Sequence, residues 1–530
     1  MFVKLLCCLC SVYCLGNQYV NANLDDGPIT TTPMGVFRGS WMETRRGRRF
    51  ESYRGIKYAE PPINELRFQP PKPITRYNGI VNATDQGVVC PQPLPPRYTI
   101  DEDCLTINVY TPGRNRSSLL PVIFYLHPGG FYSMTGRTDF AGANYLADKD
   151  VVLVTSNYRL GSLGFLSLGT SYAPGNNGYR DQVVALKWVQ TNIRAFGGDP
   201  NLVTIAGCSA GSVSVMLHMI SPMSKGLFHR AISVSGSPTS KVPSPSNRLD
   251  LAYKQARIVN CPTNDTRALY DCLKTKTWKE LAGSFEGFYE FGSDPLSLWR
   301  PVVEPDFGQE RFLTMEPMDA IREGKMHAVP YLISMTKDEF FWKAFCKVFC
   351  FDMISQLRKA YLGDRELVND NYTADRLGKL YGDSITAFPT HRLANLMCRH
   401  SSQPVYYYEF AYLGNQSHYR DPDTKKLLGV AHHDDLLYLF TLSYRYSTIE
   451  VSDSTDSKMV DFMTQIWYNF AKWGNPNGDP NANCGKLEIS WPPMLPNNRR
   501  YLQIADELSI RENLFEDRFK IWEELYPIRY

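Results

Sequence analysis

Gly207-Cys208-Ser209-Ala210-Gly211 places one serine between two glycines, at the point where an apolar strand gives way to a helix. The run before it, Leu202 to Ala206 (LVTIA), has the β-branched content of a buried strand, and Ala210 to Ile220 (AGSVSVMLHMI) reads as a helix closed by Ser221-Pro222. A strained strand-to-helix corner lifts a serine hydroxyl above the sheet edge. It demands small flanking residues, because strand, helix and neighbouring backbone crowd together there. The pentapeptide alone says little: with Gly and Ser each at about 7% of average usage, it arises by chance roughly once in five or six chains of this length. Its flanking strand and helix, and the partners found further along the chain, make it informative.

Upstream of the corner, Val183, Leu186, Val189, Ile193 and Phe196 recur at helical spacing, and Gly197-Gly198 with Asp199-Pro200 ends that helix. Pro121 to Leu126 and Val151 to Thr155 are compact apolar runs of buried-strand type, and Glu102 to Tyr110 alternates like a further strand. Downstream, Ala231 to Val234, Tyr331 to Met335 and Val405 to Phe410 continue the series. Val460, Met463, Trp467, Phe470 and Trp473 mark an amphipathic helix stopped by Gly474-Asn475-Pro476. Strands alternating with helices predict an α/β fold with a large, mostly parallel central sheet flanked by helices.

The chain has 530 residues, 43% of them apolar and 13% aromatic, which is ample for a large core. A net charge of +3 is too small to indicate a nucleic-acid partner. Arg45-Arg46-Gly47-Arg48-Arg49 is the one locally basic stretch and reads as a solvated hairpin turn. At the start, Lys4, the apolar run Leu5 to Leu15 and the small residues of Val20-Asn21-Ala22 read as a signal peptide over 1–22. A single domain is then expected over 23–530. The leader's apolar run falls short of the ~20 residues a membrane span needs, and no other segment qualifies, so a secreted protein without a membrane span is predicted. Nothing in the sequence specifies an oligomeric state.

Secretion gives meaning to the cysteines. Cys7, Cys8, Cys10 and Cys14 leave with the leader, Cys208 is locked in the corner, and eight remain. Cys90 with Cys104 and Cys261 with Cys272 close short loops, whereas Cys346, Cys350, Cys398 and Cys484 allow three pairings. Asn82, Asn115, Asn264, Asn371 and Asn415 head Asn-x-Ser/Thr sequons and are candidate glycosylation acceptors.

A serine hydroxyl is a poor nucleophile near neutral pH, so acyl transfer by Ser209 requires a base, a group to orient it, and donors for the oxyanion. His127-Pro128-Gly129-Gly130-Phe131 follows a strand and can aim backbone N–H groups at a developing oxyanion. Pro128 has no N–H, which leaves Gly129, Gly130 and Ala210 as the donors. In a strand–corner–helix fold of this kind the chain order is nucleophile, acid, histidine. Thr336-Lys337-Asp338-Glu339 and then Gly429-Val430-Ala431-His432-His433-Asp434-Asp435 supply them in that order. No metal or organic cofactor is required.

These residues, with Glu102-Asp103-Cys104-Leu105, Asn157-Tyr158-Arg159-Leu160-Gly161, Ala173-Pro174-Gly175-Asn176-Asn177-Gly178, Asp181-Gln182, Phe196-Gly197-Gly198-Asp199-Pro200-Asn201 and Gly474-Asn475-Pro476-Asn477, carry a specific likeness. From about Gly35 to the C-terminus the chain resembles the type-B carboxylesterase/cholinesterase family, and in particular insect extracellular esterases. The resemblance implies an α/β-hydrolase fold with a small additional N-terminal sheet. It implies Ser209 as nucleophile, Glu339 rather than Asp338 as triad acid, and His432 rather than His433 as base. The Cys90–Cys104 and Cys261–Cys272 pairs correspond to family disulfides, and an aromatic-lined gorge is implied, with walls around Phe288 to Trp299 and Phe340 to Trp342.

Four departures stand out. Cys208 occupies a position usually glutamate or glutamine, which removes a charge from beside the base. Pro128 replaces the first glycine of the oxyanion turn, Phe340 replaces a glycine after the acid, and His433 fills a position that is often small. The segment between Cys90 and Cys104 contains no tryptophan, so the cation–π seat for choline is missing from its expected place. The expected protein is a secreted serine carboxylesterase acting on small-molecule apolar esters through an acyl-enzyme. The rival is a catalytically weak or silent cholinesterase-like binding or adhesion protein.

Overall fold

The computed structural model describes residues 27–93, 97–113, 118–239, 243–290, 294–295, 298–345, 355–366, 368, 370–421, 423–479 and 486–530. Fourteen strands are present among them: β1 (Ile29–Thr32), β2 (Gly35–Arg38), β3 (Ser40–Glu43), β4 (Arg49–Lys57), β5 (Ile80–Asn82), β6 (Thr106–Thr111), β7 (Leu120–Leu126), β8 (Val152–Ser156), β9 (Gly198–Cys208), β10 (Arg230–Val234), β11 (Tyr331–Thr336), β12 (Val405–Phe410), β13 (Arg500–Ile504) and β14 (Leu508–Glu512). Three of them, in the order β1-β2-β5, make the small N-terminal sheet. The other eleven form one sheet in the order β14-β13-β12-β11-β10-β9-β7-β8-β6-β4-β3. Its central run from β8 through β7, β9, β10, β11 and β12 to β13 is parallel, and antiparallel pairs close both edges.

Parallel strands covered on both faces bury every side chain, and β7, β8, β11 and β12 do so along their whole length. The expected strand over Glu102 to Tyr110 begins only at Thr106. It is buried throughout rather than alternating, because it pairs with both β4 and β8. The helix read from Val183 to Phe196 is α-helical over Asn177–Asn192 and tightens to 3₁₀ over Ile193–Phe196 before stopping at Gly197. The late amphipathic helix runs over Thr455–Trp473 and ends at Gly474.

The arginine stretch is the turn between β3 and β4, as expected, but it is not simply solvated. The Arg45 side chain is buried and donates to Asp461 and Ser457, and Arg46 and Arg48 pair with Asp461 and Asp150. Cys90–Cys104 and Cys261–Cys272 are bonded. Cys398 carries a free thiol, and Cys346, Cys350 and Cys484 lie outside the described residues. The same holds for the predicted signal peptide and for Asn115, whereas Asn82, Asn264, Asn371 and Asn415 are exposed.

The Asn157–Gly161 and Asp181–Gln182 motifs work as scaffold. Arg159 reaches Asp181 with two guanidinium bonds of 2.8 and 2.7 Å, and its own backbone N–H adds a third at 3.0 Å. Both side chains are almost fully buried, at 3% and 0% exposure. Asp181→Asn leaves the Arg159 charge buried without its counter-ion, a loss of about 3–5 kcal/mol. The expected outcome is a much shorter half-life in thermal inactivation than the parent chain, or no recoverable folded protein.

Candidate active site

The corner after β9 is as tight as the sequence requires. Ser209 sits at φ 54°, ψ −117°, a conformation that costs on the order of 1–3 kcal/mol for a residue with a side chain and is kept where surrounding structure enforces it. Its backbone N–H donates to Val234 of β10 at 2.8 Å, and Ala210 opens the Ala210–Ile220 helix immediately after it. A Cβ on Gly211 would lie 2.1 Å from the Leu126 carbonyl oxygen, and one on Gly207 would lie 2.4 Å from Gly211. Only glycine lets helix, elbow strand and β7 approach this closely.

That approach sets the glycine turn beside the serine, because Leu126, the last residue of β7, pairs with Gly207. Gly129 has φ 111° and Gly130 φ 59°, and neither N–H makes a hydrogen bond among the described residues. Ala210, as the first residue of its helix, carries one of the N–H groups that a helix cannot satisfy internally. His127 is fixed for structure. Its Nδ1 donates to the Pro128 carbonyl at 2.8 Å, its ring stacks on Tyr158 at 4.3 Å, and burial lowers its pKa to about 4, so it stays neutral.

The loops after β11 and β12 bring the candidate acid and base together. Glu339 Oε2 lies 2.5 Å from His432 Nδ1, and Glu339 Oε1 accepts the Thr336 N–H at 2.9 Å. Both side chains are buried. Burial opposes ionisation of Glu339, but the charge of His432 and its hydrogen bond outweigh it and hold the carboxyl below its usual value. Asp338 does not face the imidazole. Its Oδ2 accepts the Val430 N–H and its own N–H donates to the Val430 carbonyl, which staples the acid loop to the histidine loop. Asp434 secures the histidine loop by accepting from Ala431 N–H, the Ser417 hydroxyl and His418. His432 Nε2 is buried and makes no hydrogen bond among the described residues, so one ring nitrogen is fixed and the other is free.

Two of the departures meet at this imidazole. The Phe340 ring lies 4.1 Å from the His432 ring centre, tilted 30°, and the His433 ring lies 4.0 Å away, tilted 35°. Beyond Phe340 come Trp342 at 5.1 Å and then Tyr419, stacked on Trp342. The other predicted wall borders an open cleft lined by Pro91, Tyr132, Leu163, Phe285, Phe288 and Trp299. None of the triad candidates lines this cleft.

The sequence model of the carboxylesterase family matches residues 26–349 and 349–522. The chain belongs to the carboxylesterase family. It is similar to the juvenile hormone esterase of Tribolium castaneum, 34% identical over 511 residues that span 88% of this chain and 87% of the relative. It is 32% identical to a carboxylic ester hydrolase of Bombus ignitus over 543 residues, spanning 94% and 93% of the two chains. The crystal structure of juvenile hormone esterase from Manduca sexta, with OTFP covalently attached, superposes with a TM-score of 0.82 at 27% identity, covering 94% of this chain and 99% of that one. The protein is therefore a carboxylic ester hydrolase with the α/β-hydrolase fold.

Behind the elbow this carboxylesterase differs from the expectation of a site simply short of one carboxylate. Cys208 is fully buried, and burial, then Asp435, then Glu339 push its thiol well above the usual value, so it stays protonated. Asp435 is also fully buried, and neither of its oxygens has a well-formed hydrogen bond. Burial first, and then the charges of Glu339 and Asp434, raise it to about 8. Asp435 carries no sequence signal, because nothing in an Asp-Asp pair of a polar loop marks one member as pointing inward.

The linkage has a definite sign. An acid whose folded value exceeds its unfolded value of about 3.9 keeps a proton that the unfolded chain has released, so stability falls as pH rises from about 4 towards 8. Asp435→Asn removes that titration. Melting curves between pH 5 and pH 8 are expected to show a fall in the parent chain that is reduced by a few degrees in the variant. Parallel pH profiles would count against a buried, protonated Asp435.

Proposed function

We propose that this carboxylesterase is secreted and glycosylated, and that it hydrolyses apolar carboxylic esters through an acyl-enzyme on Ser209. The observation that carries the reading is the buried Glu339–His432 pair, with Nδ1 held at 2.5 Å and Nε2 unoccupied, on loops at the same sheet edge as the elbow. In this mechanism His432 Nε2 takes the Ser209 proton as Oγ attacks the ester carbonyl. The N–H groups of Gly129, Gly130 and Ala210 donate hydrogen bonds to the oxyanion of the tetrahedral intermediate. His432 then gives its proton to the departing alcohol and activates the water that releases the acid, while Glu339 holds the ring tautomer and balances the imidazolium. Glycosylation and export find support in the two disulfides, the four exposed sequons and the leader-like start of the chain. No helix of the described residues is long and apolar enough to cross a membrane.

A chain-length series of p-nitrophenyl esters, with an organophosphate titrant, tests this reading. Turnover that varies with acyl length, together with one titrant bound per chain at Ser209, is the expected result. The rival is a catalytically weak or silent binding protein. That rival is identified by a burst of product followed by little steady-state turnover, and a folded chain with neither turnover nor labelling sinks the esterase reading.

A further inference from the structure

Phe340 pairs an unfavourable backbone with a particular contact. Its φ is 49°, in the left-handed region that side chains other than those of Gly, Asn and Asp seldom enter. The backbone on either side is tied down: Asp338 is stapled to Val430, and the Lys343 N–H donates to the Phe340 carbonyl at 3.0 Å. A strained residue persists where its surroundings over-determine it, and such strain gathers at working sites. Here it turns a half-buried aromatic ring onto His432, with Trp342 continuing the apolar surface.

The chemistry says which part of an ester meets that surface. On the reading above, acylation breaks the bond between the carbonyl carbon and the alcohol oxygen. The electrons of that bond go to the oxygen, which takes the proton from His432 Nε2. The alcohol portion therefore lies against the imidazole at the moment of cleavage, and the acyl portion stays with Ser209. A ring resting on His432 borders the alcohol portion.

We propose that Phe340, continued by Trp342, is the alcohol-side specificity wall of this site and selects esters whose alcohol portion is apolar and planar, such as benzyl or naphthyl esters, over methyl esters. The inference rests on the esterase reading and adds the direction of its selectivity. An aromatic ring stacked on another gains contact area that a methyl group cannot supply, and apolar-pocket contacts of this size discriminate by about 10- to 200-fold.

The test uses the full-length secreted chain and two matched series. One holds the acyl group at butanoate and varies the alcohol through methyl, butyl, benzyl and naphthyl. The other holds the alcohol and varies the acyl length. Phe340→Gly suits the left-handed backbone and so keeps the loop, and Phe340→Leu keeps apolar bulk without a planar ring. In both variants the benzyl-to-methyl ratio of kcat/KM is expected to fall by about tenfold or more, with acyl-length preference unchanged. A purely structural role lowers every ester by one factor. An active parent whose benzyl-to-methyl ratio survives in both variants, or whose acyl preference shifts instead, overturns the alcohol-side assignment alone. A parent chain without turnover overturns the esterase reading and this inference with it.

Discussion

Ser209→Ala is expected to lower kcat for ester hydrolysis by about 10⁴- to 10⁶-fold, with melting behaviour close to that of the parent chain. The substitution removes one oxygen and leaves the corner intact, because the features that enforce it belong to neighbours: the Gly207–Gly211 approach, the Leu126 carbonyl, and the bond from the residue 209 N–H to Val234. Alanine meets the same backbone strain as serine. The oxyanion donors and the apolar walls also remain, which accounts for residual catalysis above water. Steady-state rates and organophosphate incorporation, measured together, check the assignment. Retention of a tenth of the parent rate would remove Ser209 from the role.

Glu339→Gln is expected to reduce kcat by about 10³- to 10⁴-fold at neutral pH, a size associated with losing the group that sets the tautomer of a catalytic histidine. The amide has nearly the shape of the carboxylate and can still accept from Thr336 N–H. Turning its NH₂ towards His432 makes Nδ1 an acceptor and moves the ring proton to Nε2, the atom that must accept from serine. Labelling by an organophosphate should slow in parallel rather than disappear, which distinguishes this variant from Ser209→Ala. The pair also has a pH signature. A carboxyl held below its ordinary value contributes stability that is present above about pH 4.3 and is lost as pH falls through the folded value. The glutamine variant should show a shallower acid limb in its melting profile, and an acid limb as steep as the parent's would contradict a depressed Glu339.

Much of the architecture was legible in the sequence because burial on two faces leaves a plain signal. The runs at Val405 to Phe410 and Ala210 to Ile220 became elements with those boundaries, and the corner followed from strand, small residues and helix. Glu102 to Tyr110 misled because alternation at its start reflects a disulfide-tied loop rather than a half-exposed strand. The preference for Glu339 over Asp338 and for His432 over His433 came from family register, whereas the turn of Asp338 towards Val430 emerges only in the fold. Spacing alone left both choices open, since neighbouring polar residues in a loop point where tertiary contacts send them. What stayed invisible was direction. Phe340 and His433 read as substitutions until their rings were placed against His432, and Asp435 read as a loop polar group until it was found buried and unpaired. Side-chain heading is a property of packing, and no local pattern encodes it.

The Glu339–His432 bond joins residues 93 positions apart, each on a loop beyond a different parallel strand. During synthesis at roughly 5–20 residues per second, Glu339 therefore emerges on the order of 5–20 s before the histidine it pairs with. The elbow can be built earlier, because β7, β9 and β10 are all complete by Val234. The strands that frame the serine corner are thus synthesised first, then Glu339, and only later the histidine that Glu339 meets in the folded chain. On the proposed mechanism, a chain that stalls or is truncated before His432 lacks its base and is expected to be inert.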